Sequence, residues 1–346
     1  MFIKVLKAFN GDSILVSYIH DGETKNILID TGTPATYYSE DTGDGELKEI
    51  IQNIKNRNQK IDLLIITHWD NDHIGGVLKW FEDDLETAKL LIKKIWFNSG
   101  TLINKYFNDD RATEDSNIIN SGSYNPNTSI RQGINFEKYI LENNFSNTEI
   151  IKSLVTIPNL LEGSKFIILS PTNFNLEKLL CEWKDSPYNP NTSAPTDYNK
   201  SFQELLLNKF KEDKRIHNGS SIAFILEVEN KRLLFLGDAH PSVVVGSLIR
   251  LEQKKQKIDY VKVSHHASKA NTSDELLDLI DCENYIISSD GKFHGLPNKE
   301  TIVRIINKND FSNIFFNYPE LIEKIFTDYE LNGEKFNCQE ISEINI

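Results

Sequence analysis

The sequence predicts an α/β protein arranged as a four-layer αββα sandwich. Three observations lead there. Each half of the chain opens on paired strand-like runs, and each continues in strand–helix units. Hydrophobic residues make up 39% of the chain and aromatic residues 10%, enough for a sizeable core shared between layers. At about 150 residues per domain, 346 residues allow two domains or one large layered one. The pattern is read as a single domain over 1–346, with insertions at about 98–150 and 172–216.

The elements follow in order. Phe2 to Phe9 and Ser13 to Ile19 alternate as strands, and a turn at Asp21-Gly22 leads to a third strand from Asn26 to Ile29. From Gly45 to Asn56, Leu47, Ile50, Ile51 and Ile54 recur at helical spacing, and the run Ile61 to Thr67 reads as a buried strand. Ile74 to Phe81 continues as a helix whose Gly75-Gly76 implies close packing on a neighbour. Between Asn98 and Thr148 the composition turns towards Asn, Ser and Asp, which predicts an insertion with a few helical pieces. Strand character resumes at Ile167 to Leu169. A second irregular stretch, Lys184 to Asn199, is rich in Pro, Asn, Ser and Thr and reads as a lid or surface loop before a helix at Phe202 to Phe210. Then come strands at Ile222 to Val228 and Arg232 to Leu236, a helix at Pro241 to Gln256, and strands at Tyr260 to Val263 and Asn284 to Ser288. A helix at Lys299 to Asn307 and terminal strands complete the chain.

Composition excludes several classes. Thirty-eight basic against 51 acidic residues give a net charge of −13, which disfavours an extended polyanion-binding surface. The longest apolar runs are strand-sized, far short of the ~20 residues of a membrane helix. The opening MFIKVLKAFNGDS lacks the apolar core of a signal peptide, so a cytoplasmic protein is expected. Three widely spaced cysteines, Cys181, Cys282 and Cys338, suggest neither a disulfide framework nor a thiolate metal site.

The chemistry concentrates at strand ends. His68-Trp69-Asp70-Asn71-Asp72-His73 places two imidazoles and two carboxylates where the buried strand gives way to a helix, a set suited to zinc or manganese. Asp238 follows the strand ending at Leu236; it could bridge two metals or cap the next helix. His265-His266 follows the strand ending at Val263. Five of the eight histidines (His68, His73, His240, His265, His266) fall in these three clusters.

Taken as a series, Gly11-Asp12-Ser13, Leu28-Ile29-Asp30-Thr31-Gly32, the His68 to Gly76 segment, Leu236-Gly237-Asp238 and His265-His266-Ala267-Ser268 resemble the metallo-β-lactamase fold. More narrowly, H-x-D-x-D-H, with Asn218-Gly219-Ser220-Ser221 and Thr327-Asp328, is similar to the hydrolase domain of ComEC-type competence proteins. The resemblance implies His68 and Asp70 on one metal, Asp72, His73 and His265 on a second, and Asp238 bridging, with Asp30 orienting ligands from outside. Spacing leaves open which of His265 and His266 is the ligand. The commoner family's third-motif histidine has no clear match; Asn218 stands there with His217 beside it. The usual Gly-His-Pro is also replaced, by Phe293-His294-Gly295-Leu296-Pro297.

Two divalent ions, zinc or manganese, sharing one acidified water imply metal-dependent hydrolysis, with a phosphodiester of nucleic acid or a nucleotide as the expected substrate. His266 or His294 would protonate the leaving group, and Asn218 would help stabilise charge. The alternatives are hydrolysis of a carboxylic ester, lactone or amide at the same centre, or a regulatory subunit that needs a protein partner. Lys209 to Arg215 is the best candidate for a local basic face, though a solvated helix end explains it better.

Overall fold

The computed structural model describes residues 1–108, 129–185, 194–251, 255–333 and 335–346. Two large sheets form its centre. The six-stranded sheet runs in the order Glu343–Asn345, Phe2–Val5, Ile14–His20, Glu23–Ile29, Leu63–Ile65 and Ile95–Trp96. The first four strands pair antiparallel and the rest parallel. The eight-stranded sheet runs Phe336–Glu340, Ser312–Phe316, Asn284–Ile287, Tyr260–Lys262, Lys231–Phe235, Ala223–Val228, Ser164–Ser170 and Thr156–Pro158. Its first five strands are parallel and the remaining pairings antiparallel. Hairpin-like pairing thus leads into parallel strand–helix units in both sheets, as the sequence pattern indicated.

Strand periodicity explains the layering. Successive side chains point to opposite faces, so a strand buried on both sides divides its apolar residues between two cores. Ile27 and Ile29, with Leu63 and Ile65, face Phe166, Ile168, Phe224 and Leu226 of the other sheet in the central core. Leu28 and Leu64 point outward to Leu47, Ile50, Ile51 and Ile54 of the helix Glu46–Asn56, and to Ile74, Val77, Trp80 and Phe81 of the helix Asn71–Leu91. On the far side, Ile225, Leu234, Val261 and Tyr285 meet Val244 and Leu248 of Pro241–Leu251, and Ile302 and Ile305 of Lys299–Lys308. The order is helix, sheet, sheet, helix.

Several element bounds differ from the sequence pattern. The first strand stops at Val5, because residues 6–13 turn away to run beneath the helix Asn71–Leu91: the Asp12 amide donates to the Asp72 carbonyl at 3.0 Å. Gln256, expected as the last residue of the helix from Pro241, instead begins the strand Gln256–Lys257, which pairs with Ile280–Asp281 as a small parallel ribbon. The helix at Phe202 ends at Leu206, so residues 209–215 form a connection before Ile216–Gly219 rather than a helix end. In the first expected insertion, the described helix Ser129–Glu142 contributes Phe136 and Ile140 to the outer core, with Phe136 5.7 Å from Phe81. The sequence around Tyr124 lies outside the described residues, as do residues 186–193, half of the segment expected as a lid. No described helix is long and apolar enough to cross a membrane.

Candidate metal centre

The three chemical clusters meet because each follows a parallel or hairpin strand that ends at the same edge. Residues 66–73 follow Leu63–Ile65, Asp238 follows Lys231–Phe235, and His265-His266 follow Tyr260–Lys262. Loops beyond the carboxyl ends of such strands are where side chains from distant segments converge. His265, His266 and Ala267 all have left-handed φ, of 48°, 51° and 64°. Three non-glycine residues in this region form a strained turn, and such strain clusters at functional sites. The His265 amide donates to the Gly237 carbonyl at 2.9 Å and the Asn298 amide to the Ala267 carbonyl at 3.1 Å, which holds the turn in place.

Asp238 is the hub. Its Oδ1 lies 3.4 Å from His73 Nε2, and its Oδ2 lies 3.7 Å from His68 Nε2 and 3.6 Å from His265 Nε2. Around Oδ2, Asp70 approaches His68 Nε2 at 3.8 Å and His217 Nε2 at 3.2 Å. On the Oδ1 side, His266 Nε2 lies 3.4 Å from Asp72 Oδ2, and Asp72, His73 and His266 form one potential ligand group. The geometry therefore places His266 with Asp72 and His73, and His265 on the His68 side. Asp70 occupies the N-cap position of the helix Asn71–Leu91 but makes no side-chain capping bond, and Asp238 lies before the helix that starts at Pro241 without capping it.

The imidazoles are oriented from behind. His73 Nδ1–H donates to Asp30 Oδ2 at 2.8 Å, and Asp30 also accepts from the Thr67 amide and hydroxyl, each at 2.8 Å. His266 Nδ1–H donates to the Ser288 carbonyl at 3.0 Å, and His265 Nδ1–H to Asn271 Oδ1 at 2.9 Å. Each Nε2 thus faces the cluster, and loss of its proton leaves the lone pair, in the tautomer that a metal ligand needs. His68 Nε2, His73 Nε2, His266 Nε2 and Asp238 Oδ1 are buried without a hydrogen-bond partner in the protein. Buried polar atoms are rarely left so, and bound divalent cations would satisfy them; the donor set of imidazole nitrogen and carboxylate oxygen fits a divalent metal.

The electrostatics match. Burial by itself would raise Asp238, but His265, His73 and His68 hold it well below the usual carboxylate range. Burial opposes protonation of His73, yet Asp238 and Asp30 raise it well above the ordinary histidine value. For His68, burial dominates and lowers it.

A cleft of about 380 Å³ opens over the cluster, lined by Asp70, Asp72, Asp238, His265 and His266 and, around its mouth, by Asn10, Arg215, Phe293 and His294. Asn218 takes another place: it is buried behind His265, with its amide donating to Asp213 Oδ2 at 2.6 Å. The sequence pattern gave no role to Asp213, which also approaches His265 Nδ1 at 3.5 Å, because it is hidden in the charged run of residues 209–215. Nor did it give one to Lys262, whose ammonium bonds the Asp12 carboxylate.

Residues 7–83, from the first loop to the helix after the His68–His73 motif, match the family model of the metallo-beta-lactamase superfamily. The rest of the chain completes a mixed α/β architecture in which helices flank two central sheets. Among solved structures, Zn(2+)-bound PqqB from Methylobacterium extorquens is 11% identical, with 100% of each chain covered and a TM-score of 0.42. A diphosphatase of the PhnP family is 13% identical over 100% of this chain and 97% of that one, with a TM-score of 0.40. A CmlA β-hydroxylase mutant is 12% identical over 99% of this chain, with a TM-score of 0.41; this chain spans 53% of its length. At this level of similarity their activities do not transfer. No curated protein matches.

Proposed function

We propose that the chain is a metal-dependent phosphodiesterase of the ComEC-type group, acting on a nucleotide or nucleic-acid phosphodiester. The observation that carries this reading is that Arg215 and His294 open onto the same cleft as Asp72, Asp238 and His266. Two cations, zinc or manganese, would be held by His68, Asp70 and Asp238 on one side, with His217 and His265 at hand, and by Asp72, His73, His266 and Asp238 on the other. When bound, such ions acidify a water and neutralise charge that builds on phosphate oxygens. Their charge exceeds that of the three carboxylates by one, and Arg215 adds another at the rim, which suits an anionic substrate. Asn10 Nδ2, 3.3 Å from Asp72 Oδ2, steadies that carboxylate. His294, which lines the cleft, would give a proton to the departing oxygen. The net charge of −13 favours a nucleotide or single strand over long duplex.

The test is hydrolysis of bis(p-nitrophenyl) phosphate and of p-nitrophenyl acetate with manganese or zinc. Metal-dependent turnover of the phosphodiester, lost in Asp238→Ala, is expected. Arg215→Ala should raise KM for the phosphodiester by about tenfold, as loss of a charge-assisted contact of ~1.5 kcal/mol does, and leave the neutral ester unchanged. Turnover of the acetate alone would select the carbonyl hydrolase. Ion binding with no turnover of either would select a partner-dependent subunit.

A further inference from the structure

Behind the cluster lies an ion pair that the proposed hydrolysis does not use. Lys262, at the end of the strand Tyr260–Lys262, is 2% exposed, and Asp12, in the first loop, is 3% exposed. The Lys262 ammonium bonds Asp12 Oδ2 and donates to the Val263 carbonyl at 3.0 Å. The two residues belong to opposite halves of the molecule, 250 positions apart. A buried ammonium and carboxylate lose hydration that their mutual attraction only partly returns, so such a pair is weak evidence for stability and calls for another explanation.

Its surroundings supply one. Asp12 Oδ1 lies 3.2 Å from His266 Nδ1, beside the Ser288 carbonyl that accepts from the same nitrogen. The Asp12 amide donates to the Asp72 carbonyl at 3.0 Å, and the Asp12 carbonyl accepts from the Gly32 amide at 2.7 Å. Gly11 is so close that a Cβ there would stand 2.0 Å from the Asp72 carbonyl oxygen. Ser288 also donates its hydroxyl to the Gly11 carbonyl at 2.8 Å, closing a ring of contacts around His266. Asp12 therefore touches both Asp72 and His266, the first through its backbone and the second through its side chain. With Asp30 and His73 it also forms a ligand-type group whose atoms lie within 4.8 Å of one another. A cation drawn into that group would sit one position too deep.

We infer that Lys262 and Asp12 are positioning residues for the second cation: Asp12 aligns His266 and Asp72, and the Lys262 ammonium fills the inner position, which keeps Asp12 out of the ligand set. This rests on the two-ion reading of the site. The decisive variant is the double substitution Asp12→Asn with Lys262→Met, which removes both charges together and strands neither. Manganese binding is followed by titration calorimetry and elemental analysis, and the metal-free proteins are compared by thermal unfolding. Two ions on the wild type are expected. The double variant should unfold within a few degrees of the wild type and bind the first ion with an affinity within about twofold, but the second about 10- to 100-fold more weakly, the scale seen when partners of metal ligands are removed. Two ions held with wild-type affinities, equal weakening of both, or a double variant that no longer folds would each overturn the inference. A wild type that binds fewer than two ions would instead overturn the two-ion reading. Lys262→Met alone separates the two parts of the inference: it leaves Asp12 anionic and free, so an ion displaced to Asp12 should bind Asp12, Asp30 and His73 without supporting hydrolysis.

Discussion

Asp238 faces His73 through one oxygen and His68 and His265 through the other, so its two oxygens divide the site into two halves. Removing it leaves three imidazoles without their shared anion but touches no core side chain. Asp238→Ala is therefore expected to keep the fold, as circular dichroism would show, while ion binding and hydrolysis are lost together. His266 sets a pH dependence. Burial disfavours its charge, but Asp12 and Asp72 raise its pKa from the ordinary 6.5 to about 10. In metal-free protein it is therefore protonated at neutral pH, and its contribution to stability is complete below the unfolded value and lost as pH rises through the folded one. Cation binding must displace that proton, so affinity should rise with pH from neutrality and level off above about 10. Calorimetry in buffers of different ionisation enthalpy would register the released protons; affinity independent of pH would contradict the ligand role of His266.

The helix Asn71–Leu91 carries Asp72 and His73 in its first turn, so its seating on the sheet sets where those ligands stand. The seat is tight. A Cβ at Gly76 would lie 2.0 Å from the Thr31 carbonyl oxygen, and Thr31 donates its amide and hydroxyl to the His73 carbonyl, both at 2.8 Å. Gly76→Ala should accordingly destabilise the protein by about 1–3 kcal/mol, the usual range for overpacking, and weaken ion binding as the first turn shifts. Denaturant unfolding together with a manganese titration would show both effects. An alanine variant with unchanged stability would mean the helix can slide, and that the site tolerates it.

Across the whole molecule, the central core binds the two sheets to one another and so brings their loop edges into register. Phe224 is fully buried there, with ring centroids 5.6 Å from Phe166 and 5.3 Å from Phe235. Phe224→Ala should cost about 3–5 kcal/mol through lost burial and the remaining cavity. Ligands on both sheets depend on that packing, so the manganese affinity of the still-folded fraction should fall as well. Urea unfolding followed by tryptophan fluorescence would measure the first; preserved ion affinity would show that the loops alone hold the site.

Much of this was legible in the chain itself, for reasons of period and chemistry. The alternation and continuous apolar runs of the strands set the layers, because a strand buried on both faces must be apolar throughout. Strand-end imidazoles and carboxylates at 68–73, 238 and 265–266 stood out because few other uses need such residues in such loops. Other features depend on contacts between segments that sequence order does not relate. Spacing treats His265 and His266 alike; three successive left-handed residues turn them to opposite sides of Asp238. Asn218 had a motif position, but its place behind His265 follows from a bond to Asp213. The helix Ser129–Glu142 comes from a stretch whose composition suggests insertion, yet Phe136 closes the outer core. Lys262 and Asp12 meet across 250 residues, and only the packing of one sheet on the other decides that. Local periodicity and residue chemistry determined the elements and the kind of centre; tertiary packing decided which side chains share an oxygen, because distance in space is set by the core between the sheets.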